Sequence, residues 1–414
     1  MPSFVAEDLL SEADAVLPDV IDLRRRLHRH PELGLELPRT QQAVLDALDG
    51  CNVEVLEGNA VTSVVADLHG DASDGQRVVL LRGDMDALPM PEDTGLEFAS
   101  AVDGVMHACG HDAHTAMLVG AARVLARRRD RVSGTVRFAF QPGEEGHHGA
   151  RYMIEEGLLR RPDVDAVFAL HVSPNLPSGT IWTKPGALMA SADVLRIVVT
   201  GKGGHASTPY LANDPMPVAA EIVQALQVVV TRRINTFDPV VVTVTKIRAG
   251  TTNNVIPETV EMEGTLRAVS DAGRNQAVDA MTRLIEGVAG AHDMTAELHV
   301  EQGYPVTTND DRFAAFTLGV AERLLGGDAA GAMPAPVMGA EDFSYVLRER
   351  PGAMAFLGAC PAGEHPAHAH SCHSNRMQID EDAMRAGVAM YAAVALEYLA
   401  SGMDGADGGR QAVG

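Results

Sequence analysis

Apolar positions along this chain recur with two alternating periods. Over residues 18–27 they follow a helical spacing that runs on through Leu27 and His28 until Pro31 and Gly34 break it. Short apolar runs at 63–67, 77–81, 135–140 and 166–170 predict buried strands, and 113–129 predicts an amphipathic helix. Such alternation predicts an α/β unit with a largely parallel central sheet. Residues 190–303 have another texture. Strands rich in β-branched residues are predicted at 194–200, 240–247, 258–267 and 295–301, with helices at 217–230 and 274–290. That β-α-β-β-α-β order is the ferredoxin-like pattern. After Pro305 the first texture returns, with a core strand predicted at 353–357, so the second region reads as an insertion. The expected layout is a catalytic domain over 1–189 and 304–400, an inserted domain over 190–303, and a disordered Gly- and Asp-rich tail over 401–414.

Composition narrows the function classes. The 414 residues suit two or three domains, and a hydrophobic share of 46% excludes a disordered chain. A net charge of −23 argues against nucleic acid as a partner. The N-terminal residues show no signal-peptide pattern, and no apolar run reaches the ~18 residues that span a bilayer. Cys51, Cys109, Cys360 and Cys372 show no paired spacing, which fits a reducing compartment; the expected location is cytoplasmic.

The candidate chemistry gathers where strands end. Leu81 runs into Asp84 and Asp86, Phe140 into Glu144 and Glu145, and Leu170 into His171; open α/β sheets bind ligands at that edge. Residues 106–114 hold Cys109 with His107, His111 and His114. Cys109 and His111, two apart, suit a borderline-soft divalent ion such as zinc, nickel, cobalt or manganese. His107 and His114 are read as structural or supporting. Two adjacent carboxylates closing a buried strand need a compensating cation. Since neighbours point different ways, one of Glu144 and Glu145 can ligate metal while the other takes a proton from water. Asp84 and Asp86 read either as turn residues or as carboxylates supporting a ligand histidine. His171 and His373 alone would pass as a core histidine and one of a surface cluster. With Cys109, His111 and a glutamate they make five ligands, enough for two ions. In the inserted region, His205 on a glycine-rich turn suits a developing oxyanion. Asn254 and Arg267 bring an amide and a guanidinium to the same region, and Arg267 suits a substrate carboxylate.

These motifs resemble the aminoacylase/carboxypeptidase family of co-catalytic metallohydrolases, in particular its branch of hippurate hydrolases, N-acyl-amino-acid amidohydrolases and plant auxin-conjugate hydrolases. The likeness is carried by Arg-Arg-Leu-His at 25–28, Pro-Glu-Leu-Gly at 31–34, Gly-Asp-Met-Asp-Ala-Leu-Pro at 83–89 and Cys-Gly-His-Asp at 109–112. It continues through Glu144 and Glu145, Gly-His-Ala-Ser at 204–207, Asn-Val-Ile-Pro at 254–257 and Gly-Ala-Glu-Asp-Phe-Ser at 339–344. It implies a two-domain α/β fold of the zinc-exopeptidase type, with a mixed central sheet flanked by helices and an inserted ferredoxin-like lid or dimerisation domain. It implies two divalent metal ions (manganese, zinc, cobalt or nickel) on Cys109, His111, Glu145, His171 and His373, with Cys109 bridging. Glu144 would be the general base and Asp86 the carboxylate supporting the metals. His205 would polarise the scissile carbonyl, in some relatives from the partner subunit. Arg267 and Asn254 would contact the substrate's carboxylate end, and the protein would be a homodimer or homotetramer. This sequence departs from the wider family in carrying Asp84 where a ligand histidine is usual, and Gly143 where alanine is usual. The expected activity is hydrolysis of N-acyl-L-amino acids; the alternatives are a metallo-carboxypeptidase acting on short peptides and a non-catalytic metal or small-molecule binder.

Overall fold

The computed structural model describes residues 6–72 and 76–403. They form two compact units: one of Met1–Leu188, Thr308–Pro334 and Tyr345–Gly414, the other of Met189–Thr307 and Ala335–Ser344, taken over the described residues. Each has its own apolar core.

The first unit is built on an eight-stranded mixed sheet. Its order is Glu54–Glu57, Val64–His69, Thr135–Gln141, Val78–Asp84, Ala166–Ser173, Gly352–Gly358, Ile181–Thr183 and Ala330–Ala332. The central four, from Thr135–Gln141 to Gly352–Gly358, run parallel, while the strands flanking them pair antiparallel. Strands buried on both faces read as continuous apolar runs, which is why these were legible. Helices Ala6–Arg29, His111–Arg127 and Met384–Ser401 pack on one another and on the sheet. The first begins well before the expected residue 18 and contains Pro18, because Leu9, Ala13, Val16, Val20, Leu23 and Leu27 carry one buried stripe past the proline. Ser401, expected to open the tail, instead closes the last helix; residues 404–414 of that expectation lie outside the described residues.

Tyr391, on the last helix, ties together the strands that carry the polar edge. Its hydroxyl accepts from Leu170 N at 3.0 Å and donates to Arg82 O at 2.7 Å.

The second unit holds a four-stranded antiparallel sheet in the order Val240–Ala249, Thr259–Ala268, Ser191–Thr200 and Thr295–Gln302, with helices Pro215–Arg233 and Asp271–Ala291. The order and connections are ferredoxin-like. Ser270 caps the second helix by accepting from Gly273 N at 2.8 Å. Segment 335–344, expected with the returning catalytic part, belongs to this unit. Ala190 N donates to both Val337 O and Gly339 O at 2.9 Å, and Thr307 Oγ1 donates to Glu341 O at 3.4 Å.

Candidate metal centre

Three neighbouring parallel strands, Thr135–Gln141, Val78–Asp84 and Ala166–Ser173, bring their polar residues to one edge of the sheet. Asp84 closes its strand and Asp86 follows two residues on. Glu144 and Glu145 lie three and four residues beyond Gln141, and His171 stands near its strand's end. The remaining donors come from the loop entering helix His111–Arg127. There Gly110 takes φ +84°, and a Cβ would come within 2.3 Å of Val172 Cγ2. Only glycine satisfies both conditions, so the chain turns sharply between Cys109 and His111.

Two sets of three potential ligands share the sulfur of Cys109. One is Cys109, His111 and His171; the other is Cys109, Glu145 and His373; within each, the ligand atoms lie within 4.8 Å of one another. Cys109 Sγ is 3.4 Å from His171 Nε2. His171 Nδ1 donates to Val172 O at 2.7 Å, so Nε2 presents its lone pair to the site. Burial, helped by the nearby His114 and His111, holds His171 well below the ordinary histidine range, which keeps it neutral. His373 takes φ +68° and places Nε2 3.1 Å from Glu145 Oε1.

Asp86 organises the acidic pair. Its Oδ1 accepts from Glu144 N at 2.9 Å and its Oδ2 from Glu145 N at 3.0 Å, while Oδ1 also lies 3.4 Å from His111 Nδ1. Asp84 is engaged differently, since Oδ2 accepts from Arg82 at 2.6 Å and Oδ1 from His114 Nδ1 at 2.5 Å. Because Val172 N donates to His114 Nε2 at 2.8 Å, neither His114 nitrogen is free to ligate. Burial disfavours the Asp84 carboxylate, but Arg82, His111 and His114 outweigh it and hold its pKa well below the usual range. Gly143 takes φ +72° with a Cβ position 2.4 Å from Leu35 Cδ2, so the left-handed turn and its close packing account for this departure from alanine.

The donor set fits divalent metal. His111 is fully buried, and neither ring nitrogen has a hydrogen-bond partner; Glu145 Oε1, though close to His373, has none either. Buried polar atoms are rarely left so, and several gathered at one point are the donor set that a divalent cation would satisfy. Burial opposes charge on His111, yet Asp84, Asp86 and Glu145 raise its pKa well above the ordinary value, which measures how strongly negative the site is.

The centre thus brings together Asp86, Cys109, His111, Glu144, Glu145, His171 and His373, all in the first unit. His205, Asn254 and Arg267 belong to the second. There His205 pairs with Val255 in a two-stranded ladder, and its Nδ1 accepts from Ser207 N at 3.1 Å, so the ring proton of the neutral form sits on Nε2. Asn254 O accepts from Ala206 N at 3.0 Å, which holds the two loops together. The guanidinium of Arg267 is half-buried and has no hydrogen bond or ion pair to another described residue.

Sequence reasoning missed the layer behind the ligands. Asp112, next to His111, is buried against Arg24 Nε at 3.0 Å and His28 Nδ1 at 2.8 Å, and His28 Nε2 lies 3.2 Å from Glu92. Burial works against a charged His28, but Asp112 and Glu92 raise it to about 9. The four-residue spacing of Arg24 and His28 on one helix was the available signal.

Residues 80–397 match the model of "Peptidase family M20/M25/M40". Among curated proteins, the chain is 37% identical over 398 residues to thermostable carboxypeptidase 1 of Saccharolobus solfataricus, covering 95% of this chain and 99% of that one. It is 40% identical over 383 residues to N-acetylcysteine deacetylase of Bacillus subtilis, covering 92% and 97%. Among solved structures, a Bacillus subtilis protein described as a dinuclear metal-binding peptidase of the same family superposes with a TM-score of 0.82 at 36% identity, covering 94% and 99%. The paired ligand sets and these likenesses agree: the chain belongs to peptidase family M20/M25/M40, as a metal-dependent amidohydrolase with a dinuclear centre.

Proposed function

We propose that this enzyme cleaves the amide bond of N-acyl-L-amino acids, releasing a carboxylic acid and a free amino acid. The observation that carries the reading is the pair of ligand sets sharing Cys109, with the acidic residue Glu144 directly beside them. Cys109, His111, Glu145, His171 and His373 would hold the two metals. When bound there, divalent ions would supply Lewis acidity and positive charge to the water and to the developing anionic oxygen.

The chain's own groups do the rest. Glu144 takes the proton of the attacking water and delivers it to the leaving amine. Asp86 positions Glu144 and Glu145 through their backbone N–H groups. His205 offers Nε2–H to the oxygen of the scissile carbonyl as charge develops on it. Arg267, whose guanidinium has no hydrogen bond to another described residue, pairs with the substrate's α-carboxylate, assisted by Asn254. We place the enzyme in the cytoplasm as a homodimer or homotetramer. In support of the first, no helix among the described residues is long and apolar enough to cross a membrane.

A second reading, a carboxypeptidase acting on short peptides, is favoured by the name of the 37% identical archaeal relative. Chelator-stripped protein resupplied with manganese, cobalt, nickel or zinc, assayed on N-acetyl, N-benzoyl and N-indoleacetyl amino acids beside dipeptides, separates the two. Metal-dependent release of amino acid from the acylated set, with dipeptides slower, is expected; faster cleavage of dipeptides refutes the deacylase reading.

A further inference from the structure

The metal centre holds a second thiol to which neither ligation nor proton transfer gives a role. His373 N donates to Ala108 O at 2.7 Å, so the chain at 372–373 lies directly beside the chain at 108–109. Cys372 Sγ is 4.0 Å from Cys109 O and 3.9 Å from Val172 O. A disulfide spans a Cα separation of about 5–6 Å, and the hydrogen bond between the neighbouring residues His373 and Ala108 brings the two cysteine-bearing segments together. The other two thiols differ: Cys360 Sγ faces the carbonyls of Pro361 and Glu364, and Cys51 is buried just before the strand Glu54–Glu57.

We propose that Cys109 and Cys372 are a site of reversible oxidative modification, closing into a disulfide under peroxide and thereby withdrawing the sulfur shared by the two ligand sets. One sulfur attacks a peroxide oxygen, the O–O bond breaks, and water leaves as a sulfenic acid forms. The second thiol displaces that hydroxyl as another water and closes the S–S bond. Two thiols are oxidised, one hydrogen peroxide becomes two waters, and a dithiol reductant reverses the change. Bond formation depends only on the two cysteines. Release of metal rests, in addition, on Cys109 being a ligand, as the proposed function has it.

The test treats the full chain, manganese-loaded and chelator-stripped, with hydrogen peroxide. Remaining thiols are then alkylated, peptides mapped without reduction, and free metal measured. The expected result is a linked pair of peptides carrying Cys109 and Cys372, the loss of two titratable thiols, and metal release from the loaded sample, with the thiols restored by dithiothreitol. In Cys372→Ser or Cys372→Ala protein the link is absent, and Cys109 is driven to species that dithiothreitol does not reverse. Recovery of Cys109 and Cys372 unlinked after peroxide overturns the proposal. A linked pair with metal still bound keeps the disulfide but overturns metal release, and with it the assignment of Cys109 as ligand.

Discussion

At the scale of single residues, Asp86 decides where the acidic chemistry sits. One carboxylate accepts the N–H groups of both Glu144 and Glu145, so neither glutamate can shift without the other. Asp86→Ala is expected to weaken metal binding by about 10–100-fold, the usual cost of losing such support, measured by competition with a metal indicator. In the proposed reading Arg267 recognises the substrate's carboxylate. Arg267→Ala should raise KM for N-acyl amino acids with kcat little changed, and should leave the amides of those substrates, which lack the carboxylate, almost unaffected. Equal losses on both substrate types would remove Arg267 from carboxylate recognition. Cys109 and His111 stood out by their spacing, and Glu144, Glu145 and His171 by following strand ends, while the division of roles between the two glutamates came only from the family resemblance. Which ring nitrogens are free was not legible, because the tautomers of His171, His114 and His205 are fixed by Val172 and Ser207 backbone groups close by in space.

Elements carry these residues, and their ends matter more than their lengths. The helix His111–Arg127 starts where Gly110 turns the chain at φ +84° against Val172. Gly110→Ala forces both a strained backbone and a clash, so a destabilisation on the order of 1–3 kcal/mol is expected, together with loss of metal, read by chemical denaturation and metal analysis. Tyr391→Phe leaves Leu170 N and Arg82 O without their shared hydroxyl and should cost about 1–3 kcal/mol. Long strands buried on both faces were readable because nothing interrupts their apolar runs. The first helix was read too short because Pro18 looks like a boundary, while tertiary packing of Leu9, Ala13 and Val16 carries the helix through it. Strands of two or three residues, such as Gly204–His205 and Ile181–Thr183, have too few positions to show a period.

At the scale of the molecule, the buried network behind the centre couples stability to pH. His28 titrates at about 9 in the folded chain against an unperturbed 6.5. Its contribution is therefore fully present below the lower value and lost as pH rises through the higher one. A shift of that size corresponds to about 3 kcal/mol as an order of magnitude. Urea midpoints should fall between about pH 6 and pH 9.5 in wild-type protein and fall less in His28→Gln; parallel declines would show that other groups dominate. The second unit has its own core, and its ferredoxin-like order was legible because half-buried strands alternate and its helices are amphipathic. The return of 335–344 to that unit was not, since it rests on backbone hydrogen bonds from Ala190 that leave no mark in composition. The most direct test of a dinuclear hydrolase driven by Glu144 is to titrate manganese into stripped wild-type and Glu144→Gln protein, recording bound metal and N-acyl-amino-acid hydrolysis together. Both proteins should take up two equivalents, with turnover rising as wild type fills and reduced at least 100-fold, roughly, in the variant. Hydrolysis by metal-free protein, or undiminished turnover in Glu144→Gln, would contradict the account.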